Sequence, residues 1–154
     1  MMNLRQTILQ GVADGLPLTG IYAGLGGAVP KIDFYREVLA LIGDGDMPNP
    51  LICWCGMDCS RCKTFRATLS DDDALRREVQ QHYADIGVAV TLDSLHCLGC
   101  RSDEMMQACA ECPYMRCGKQ KGVDRCDACD EYPCQSLKWY IETYLKPGEG
   151  KFTV

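Results

Sequence analysis

Apolar residues recur at helical spacing in four stretches of the chain. Leu4, Ile8 and Val12 predict a first amphipathic helix, with Gly11 and Gly15 marking where it weakens and ends. Phe34, Val38, Leu41 and Ile42 fit a second, closed by Gly43-Asp44-Gly45. Between them, residues 20–30 read as a glycine-rich connector, and residues 43–50 as a linker. The clearest helix starts near Ser70, where Asp73 three residues on makes a capping-box-like signal. Leu75, Val79, Tyr83 and Ile86 follow on one face, with Gly87 as the cap beyond the end. Val88 to Leu92 is a short β-branched run and predicts a strand. Leu137, Tyr140, Ile141, Tyr144 and Leu145 give a last helix, stopped by Pro147-Gly148. The interval from His96 to Cys134 has turn residues throughout and reads as irregular.

These elements predict an α+β fold, mostly helical with little sheet. Its parts are an N-terminal helical segment over 1–50, a cysteine-rich domain over 51–146 and a tail over 147–154. The glycines Gly24, Gly26 and Gly27 match neither the P-loop nor the dinucleotide fingerprint, so they read as a packing turn rather than an anion cradle. A length of 154 residues suits one domain with an arm. No repeat with a fixed period stands out.

Cysteine changes the picture. All twelve cysteines fall between Cys53 and Cys134, and eight form the C-x-x-C pairs Cys59/Cys62, Cys97/Cys100, Cys109/Cys112 and Cys126/Cys129. Two intervening residues let a tight turn aim both sulfurs at one ion. The amino terminus shows no signal-peptide pattern, and residues 15–30, the longest uncharged stretch, are too short and too rich in Gly and Pro to span a membrane. A cytoplasmic location is expected, and in a reducing compartment such thiols are metal ligands more often than disulfides.

The metal expected is zinc, in four-sulfur structural sites; an iron–sulfur cluster, whose ligands look alike in sequence, is the alternative. Such sites add binding energy to folding, which explains how an irregular segment holds a structure. The pairs Cys109/Cys112 and Cys126/Cys129 are spaced like a zinc ribbon. Cys55-x3-Cys59-x2-Cys62 has the spacing of radical enzymes that cleave S-adenosylmethionine, but too little chain follows to build their barrel.

No catalytic set emerges. A catalytic zinc favours His or carboxylate ligands and an open position. His82 sits on the charged helix, and His96 reads as a supporting group beside Cys97. Cys134 near a helix start is a weaker candidate for a nucleophile than for a ligand. The net charge of −5 would reach about −9 with two four-thiolate sites each holding a dication. That sign disfavours nucleic acid as a partner. Arg116, Lys119, Lys121 and Arg125 therefore read as cations that offset thiolate charge, and Asp71-Asp72-Asp73 as a helix-start feature. A binding or adaptor role toward a protein partner is the expectation, with an enzyme the less favoured class.

Taken in order, Cys55-Gly56-x-x-Cys59-x-x-Cys62, Cys97-x-Gly99-Cys100-Arg101, Cys112-x3-Arg116-Cys117 with Lys121-Gly122, and Cys126-x-x-Cys129-x3-Pro133-Cys134 form a specific series. It resembles a prokaryotic cysteine-rich family catalogued as a domain of unknown function (DUF 3795), over about residues 53–138. The resemblance implies a small zinc-binding domain and no activity. Its pattern marks Cys55, Cys59, Cys62, Cys97, Cys100, Cys112, Cys117, Cys126, Cys129 and Cys134 as metal ligands, to which Cys109 is added. Cys53 is expected to be an extra cysteine. Neither ten nor eleven is a multiple of four, so this set implies free thiols or a non-cysteine ligand.

Overall fold

Asn3 opens the first helix. Its side chain accepts from the Gln6 backbone N–H at 2.9 Å, and its own N–H donates to Gln6 Oε1 at 3.3 Å. This reciprocal cap starts α1 (Leu4–Ala13). The structure, a computed structural model, describes residues 2–144. The expected stop at Pro147-Gly148, Leu145 and the tail lie outside the described residues.

A second helix, α2 (Leu18–Gly24), takes up residues 20–24 of the expected connector. It forms because Leu18 and Ile21 have a surface to bury against: they are 4% and 5% exposed. That surface is α1 at Gly11. A Cβ built there would stand 2.5 Å from Ile21 Cγ1, so this glycine is a close-approach point inside the helix rather than its end. The helix ends instead at Asp14, with Gly15 beyond it at φ +76°.

Pro30 precedes α3 (Lys31–Gly43), which buries Phe34, Tyr35, Val38 and Leu41. Tyr22, Phe34, Tyr35 and Phe65 stand edge to face in a chain with centroids 5.3, 5.3 and 6.4 Å apart. The segment after α3 is held in place. Arg5 of α1 reaches Glu37 at 3.1 Å and both Asp44 and Asp46 at 2.6 Å, and Met47 is buried.

The helix α4 (Lys63–Ser70) follows directly on the first cysteine cluster and buries Phe65, Ala67 and Leu69. Its eight residues are too few to show a clear period. Arg36 of α3 covers its C-terminal end, donating from Nε to Leu69 O at 2.8 Å. This displaces the expected start of the next helix. Ser70 closes α4, Asp71 turns the chain at φ +52°, and Asp72 is the cap, accepting from Leu75 N at 3.0 Å. The helix α5 (Asp73–Asp85) then runs as expected.

Val88 to Leu92 is not a strand. No neighbouring strand among the described residues pairs with it, Val88 is 44% exposed, and the Val90 carbonyl accepts from the Gln80 side chain at 2.9 Å. Among the described residues the only bridge is an isolated antiparallel one, Ile52 with Asp58. The fold is mostly helical, as expected, but with almost no strand among the described residues to justify the α+β label. The interval expected to be irregular contains α6 (Gln107–Ala110) and α7 (Pro113–Lys121), and α8 (Gln135–Tyr144) follows.

One core joins residues 1–50 to the cysteine-rich part. Ile8, Ile21, Phe34 and Val38 pack in the same cluster as Leu51, Cys53, Cys59, Phe65 and Leu98. Full burial of each large side chain stabilises by about 1.5–3 kcal/mol. The first cysteine cluster is thus joined to the larger of the two core clusters among the described residues.

Candidate metal centre

The Ile52–Asp58 bridge closes a short loop that carries Cys53 and Cys55. Cys53 N donates to Met57 O at 2.8 Å, and Gly56 turns the loop at φ +93°, a region that favours glycine. Asp58 then caps a 3₁₀ turn over Cys59–Arg61, accepting from Ser60 N at 2.9 Å. Cys62 N closes this turn on Cys59 O at 3.1 Å. The Cys97/Cys100 pair comes from the far side on a turn at Gly99, φ +98°, whose N–H donates to Cys97 Sγ at 3.3 Å. Cys100 N points at Cys59 Sγ at 3.5 Å. Gly99 rests on Cys59: a Cβ there would lie 3.7 Å from Cys59 Cβ.

These turns bring the sulfurs of Cys53, Cys59 and Cys100 within 4.8 Å of one another. Cys53 Sγ lies 3.0 Å from Cys59 Sγ, between a covalent disulfide at about 2.05 Å and the roughly 3.8 Å expected for two sulfurs on one tetrahedral zinc. None of the twelve cysteines is in a disulfide. Cys55, Cys62, Cys109 and Cys112 join Cys53 and Cys100 around an apolar cavity of about 360 Å³, walled by Trp54, Met57, Tyr83, Met106, Met115 and Tyr140.

Protons are unevenly shared in this group. Hydrogen bonds from Cys100 and then Cys53 hold Cys59 well below the usual thiol range. The bond with Cys53 lowers Cys55 to about 7. For Cys53 the bond with Cys100 pulls down, but its bonds to Cys55 and Cys59, with burial, carry it upward. Burial pushes Cys62 up to about 12. The bond with Cys109, then burial, raises Cys97. Thiolates in a poorly hydrated setting need a counter-charge. A soft cation suits this donor set, since it would replace the shared protons with bonds to sulfur.

Residues 51–139 match the family described as protein of unknown function (DUF3795). The chain belongs to this family. No curated protein and no solved structure matches the chain. The matched span opens at Leu51 and so takes in Cys53, the cysteine expected to be extra. Its place in the sulfur trio is the main departure from the sequence reading. The available signal was Cys53-Trp54-Cys55-Gly56, a C-x-C pair with a turn residue behind it.

The two pairs of the expected ribbon line different hollows: Cys109 and Cys112 line the large cavity, and Cys109 hydrogen-bonds with Cys100 and Cys97. Cys117, Cys126, Cys129 and Cys134 instead line a separate hollow of about 50 Å³. His96 faces Glu104, Nε2 to Oε2 at 3.4 Å, and His82 lies on α5. Of the basic residues, Lys121 does meet sulfur, donating to Cys129 Sγ at 3.6 Å and pairing with Glu131 at 3.0 Å. Lys119 stands over the Trp54 ring at 5.6 Å, and Arg125 pairs with Asp127 at 3.0 Å.

Proposed function

We propose that this protein binds zinc through its cysteine-rich half and serves as a cytoplasmic binding or adaptor module for a protein partner. The observation that carries the reading is the convergence of Cys53, Cys59 and Cys100 within 4.8 Å, with Cys55 hydrogen-bonded to Cys53 as the candidate fourth sulfur. Four thiolates suit tetrahedral zinc, and such a site is structural because no ligand position is left open for water. The ion would lock the loop at Cys53, the turn at Cys59 and the turn at Gly99 together, three segments with little regular backbone pairing. A role without chemistry of its own is supported by an all-sulfur donor set with no carboxylate or imidazole among it. No helix among the described residues is long and apolar enough to cross a membrane.

The cavity favours a second reading. Space of about 360 Å³ beside six cysteines exceeds what a single ion needs, and an apolar surround suits an iron–sulfur cluster in electron transfer. One experiment decides: metal analysis and an absorption spectrum of protein purified without oxygen. Colourless protein containing zinc, with less zinc in a Cys59→Ser/Cys100→Ser variant, is the expected result. Brown protein with iron and sulfide would overturn the zinc reading and establish the second.

A further inference from the structure

We propose a second, physically separate metal site made by Cys117, Cys126, Cys129 and Cys134, taking one zinc-class dication through four thiolates. It deepens the metal-binding reading but does not depend on the Cys53–Cys59–Cys100 cluster.

Three separate segments bring the four cysteines to the lining of one hollow. Cys117 comes from α7, Cys126 and Cys129 from a 3₁₀ turn, and Cys134 from the residue before α8. The turn is built like the one at Cys59: Cys129 N donates to Cys126 O at 3.0 Å, as Cys62 N does to Cys59 O at 3.1 Å. Both therefore present a C-x-x-C pair from one side of a tight bend. No three of these sulfurs lie within 4.8 Å of each other, so binding would draw them inward. Cys117 and Cys134 are exposed and have room to rotate.

Two further observations point to an ion here. Lys121 Nζ approaches Cys129 Sγ at 3.6 Å, placing an ammonium where a thiolate site would carry surplus negative charge. The surrounding chain is open to solvent. Residues 127, 128 and 130–136 are exposed. The start of α8 is tied down by Leu137, 1% exposed, and by Tyr114 Oη donating to Ser136 O at 3.0 Å. An ion at the four sulfurs would clamp α7 to α8, and α8 carries Tyr140, a wall of the larger cavity.

The test is metal stoichiometry by native mass spectrometry on the full chain, refolded with zinc. The Cys126→Ser/Cys129→Ser variant should lose one equivalent per chain and keep the rest; Cys53→Ser/Cys59→Ser should lose metal while keeping that equivalent. An unchanged count in Cys126→Ser/Cys129→Ser overturns this site and leaves the first intact. Loss in that variant with none in Cys53→Ser/Cys59→Ser does the reverse. Should Cys126→Ser/Cys129→Ser fail to fold, alkylation of the zinc-loaded natural chain decides. The four thiols should be protected together and become reactive together, separately from Cys59 and Cys100, as a chelator is titrated in. Labelling of any of the four in loaded protein, or release only in step with Cys59 and Cys100, overturns the proposal.

Discussion

The indole of Trp54 lies directly on the Cα of Gly118, leaving no room for a Cβ. Trp54 sits between Cys53 and Cys55, and Gly118 follows Cys117, so this contact couples the two cysteine groups. It is fixed from several sides. The indole N–H donates to Val123 O at 3.1 Å, Arg101 covers the ring at 4.1 Å, and the Trp54 carbonyl accepts from Cys126 N at 2.9 Å. Helix propensity alone would make Gly118→Ala stabilising by about 0.5–1 kcal/mol. The clash outweighs that gain because the ring cannot swing aside without breaking its other contacts, and overpacking costs about 1–3 kcal/mol. Urea denaturation should therefore show Gly118→Ala to be destabilised by about 1–2 kcal/mol. A neutral or stabilised variant would mean that Trp54 is not seated on α7.

The same opposition of propensity and space distinguishes two glycines of the first helices. At Gly11 a new methyl would stand 2.5 Å from Ile21 Cγ1, and Ile21 is buried. Gly11→Ala should cost about 1–3 kcal/mol through the displaced α1–α2 contact. At Gly20 the nearest atom is Pro17 Cγ at 3.5 Å, an ordinary contact, and the backbone is already helical. Gly20→Ala should stabilise by about 0.5–1 kcal/mol. Thermal melts of the two variants should shift in opposite directions; shifts of the same sign would contradict the packing of α2 on α1.

Thiol reactivity in metal-free, reduced protein should follow the uneven sharing of protons. Cys55 is lowered from 9.0 to about 7, chiefly by its hydrogen bond with Cys53, and is partly exposed. Its thiolate fraction, and with it the alkylation rate, should rise about tenfold per pH unit below 7 and level off above. Burial holds Cys62 up to about 12, so it should remain unreactive through pH 9. Peptide mapping after iodoacetamide pulses from pH 5 to 9 measures both. A midpoint for Cys55 near 9 would show that its sulfur is not hydrogen-bonded as the structure has it.

The sequence exposed some of this arrangement and hid the rest for definable reasons. The helices α1, α3, α5 and α8 were legible because each is long enough, at 10 to 13 residues, to repeat an apolar face. The shorter α2, α4, α6 and α7 were not; α2 depends on a partner surface at Gly11 that no local pattern reveals. The run at Val88 has strand propensity, but strands need neighbours, and the described residues supply none. Spacing found the C-x-x-C turns because the turn itself is local. It could not group them, since Cys100 meets Cys59 through Gly99 packing across 41 positions of chain. Nor did it bring Cys53 near Cys59, since Cys53 has no C-x-x-C partner and reaches the cluster through the Ile52–Asp58 bridge.

Cys53 gives the sharpest test of the grouping. With Cys53 a bystander, the ligands number ten or eleven and leave a remainder; with it included, six cysteines line the large cavity, Cys59 joins them in the sulfur trio, Cys97 joins through its bond with Cys109, and the other four line the small hollow. Its sulfur lies 3.0 Å from Cys59 Sγ and the residue is 3% exposed, a position from which it could bind an ion directly. Removing a supporting group weakens metal binding by roughly 10–100-fold. Cys53→Ser should weaken zinc binding by more than that, and as strongly as Cys59→Ser, in competition titrations with a chromophoric chelator. Because serine is nearly isosteric, the far-ultraviolet spectrum of Cys53→Ser in excess zinc should stay close to that of the natural chain. Unaltered zinc affinity in this variant would return Cys53 to the core as an ordinary buried thiol and would leave Cys59 and Cys100 in need of a different third sulfur.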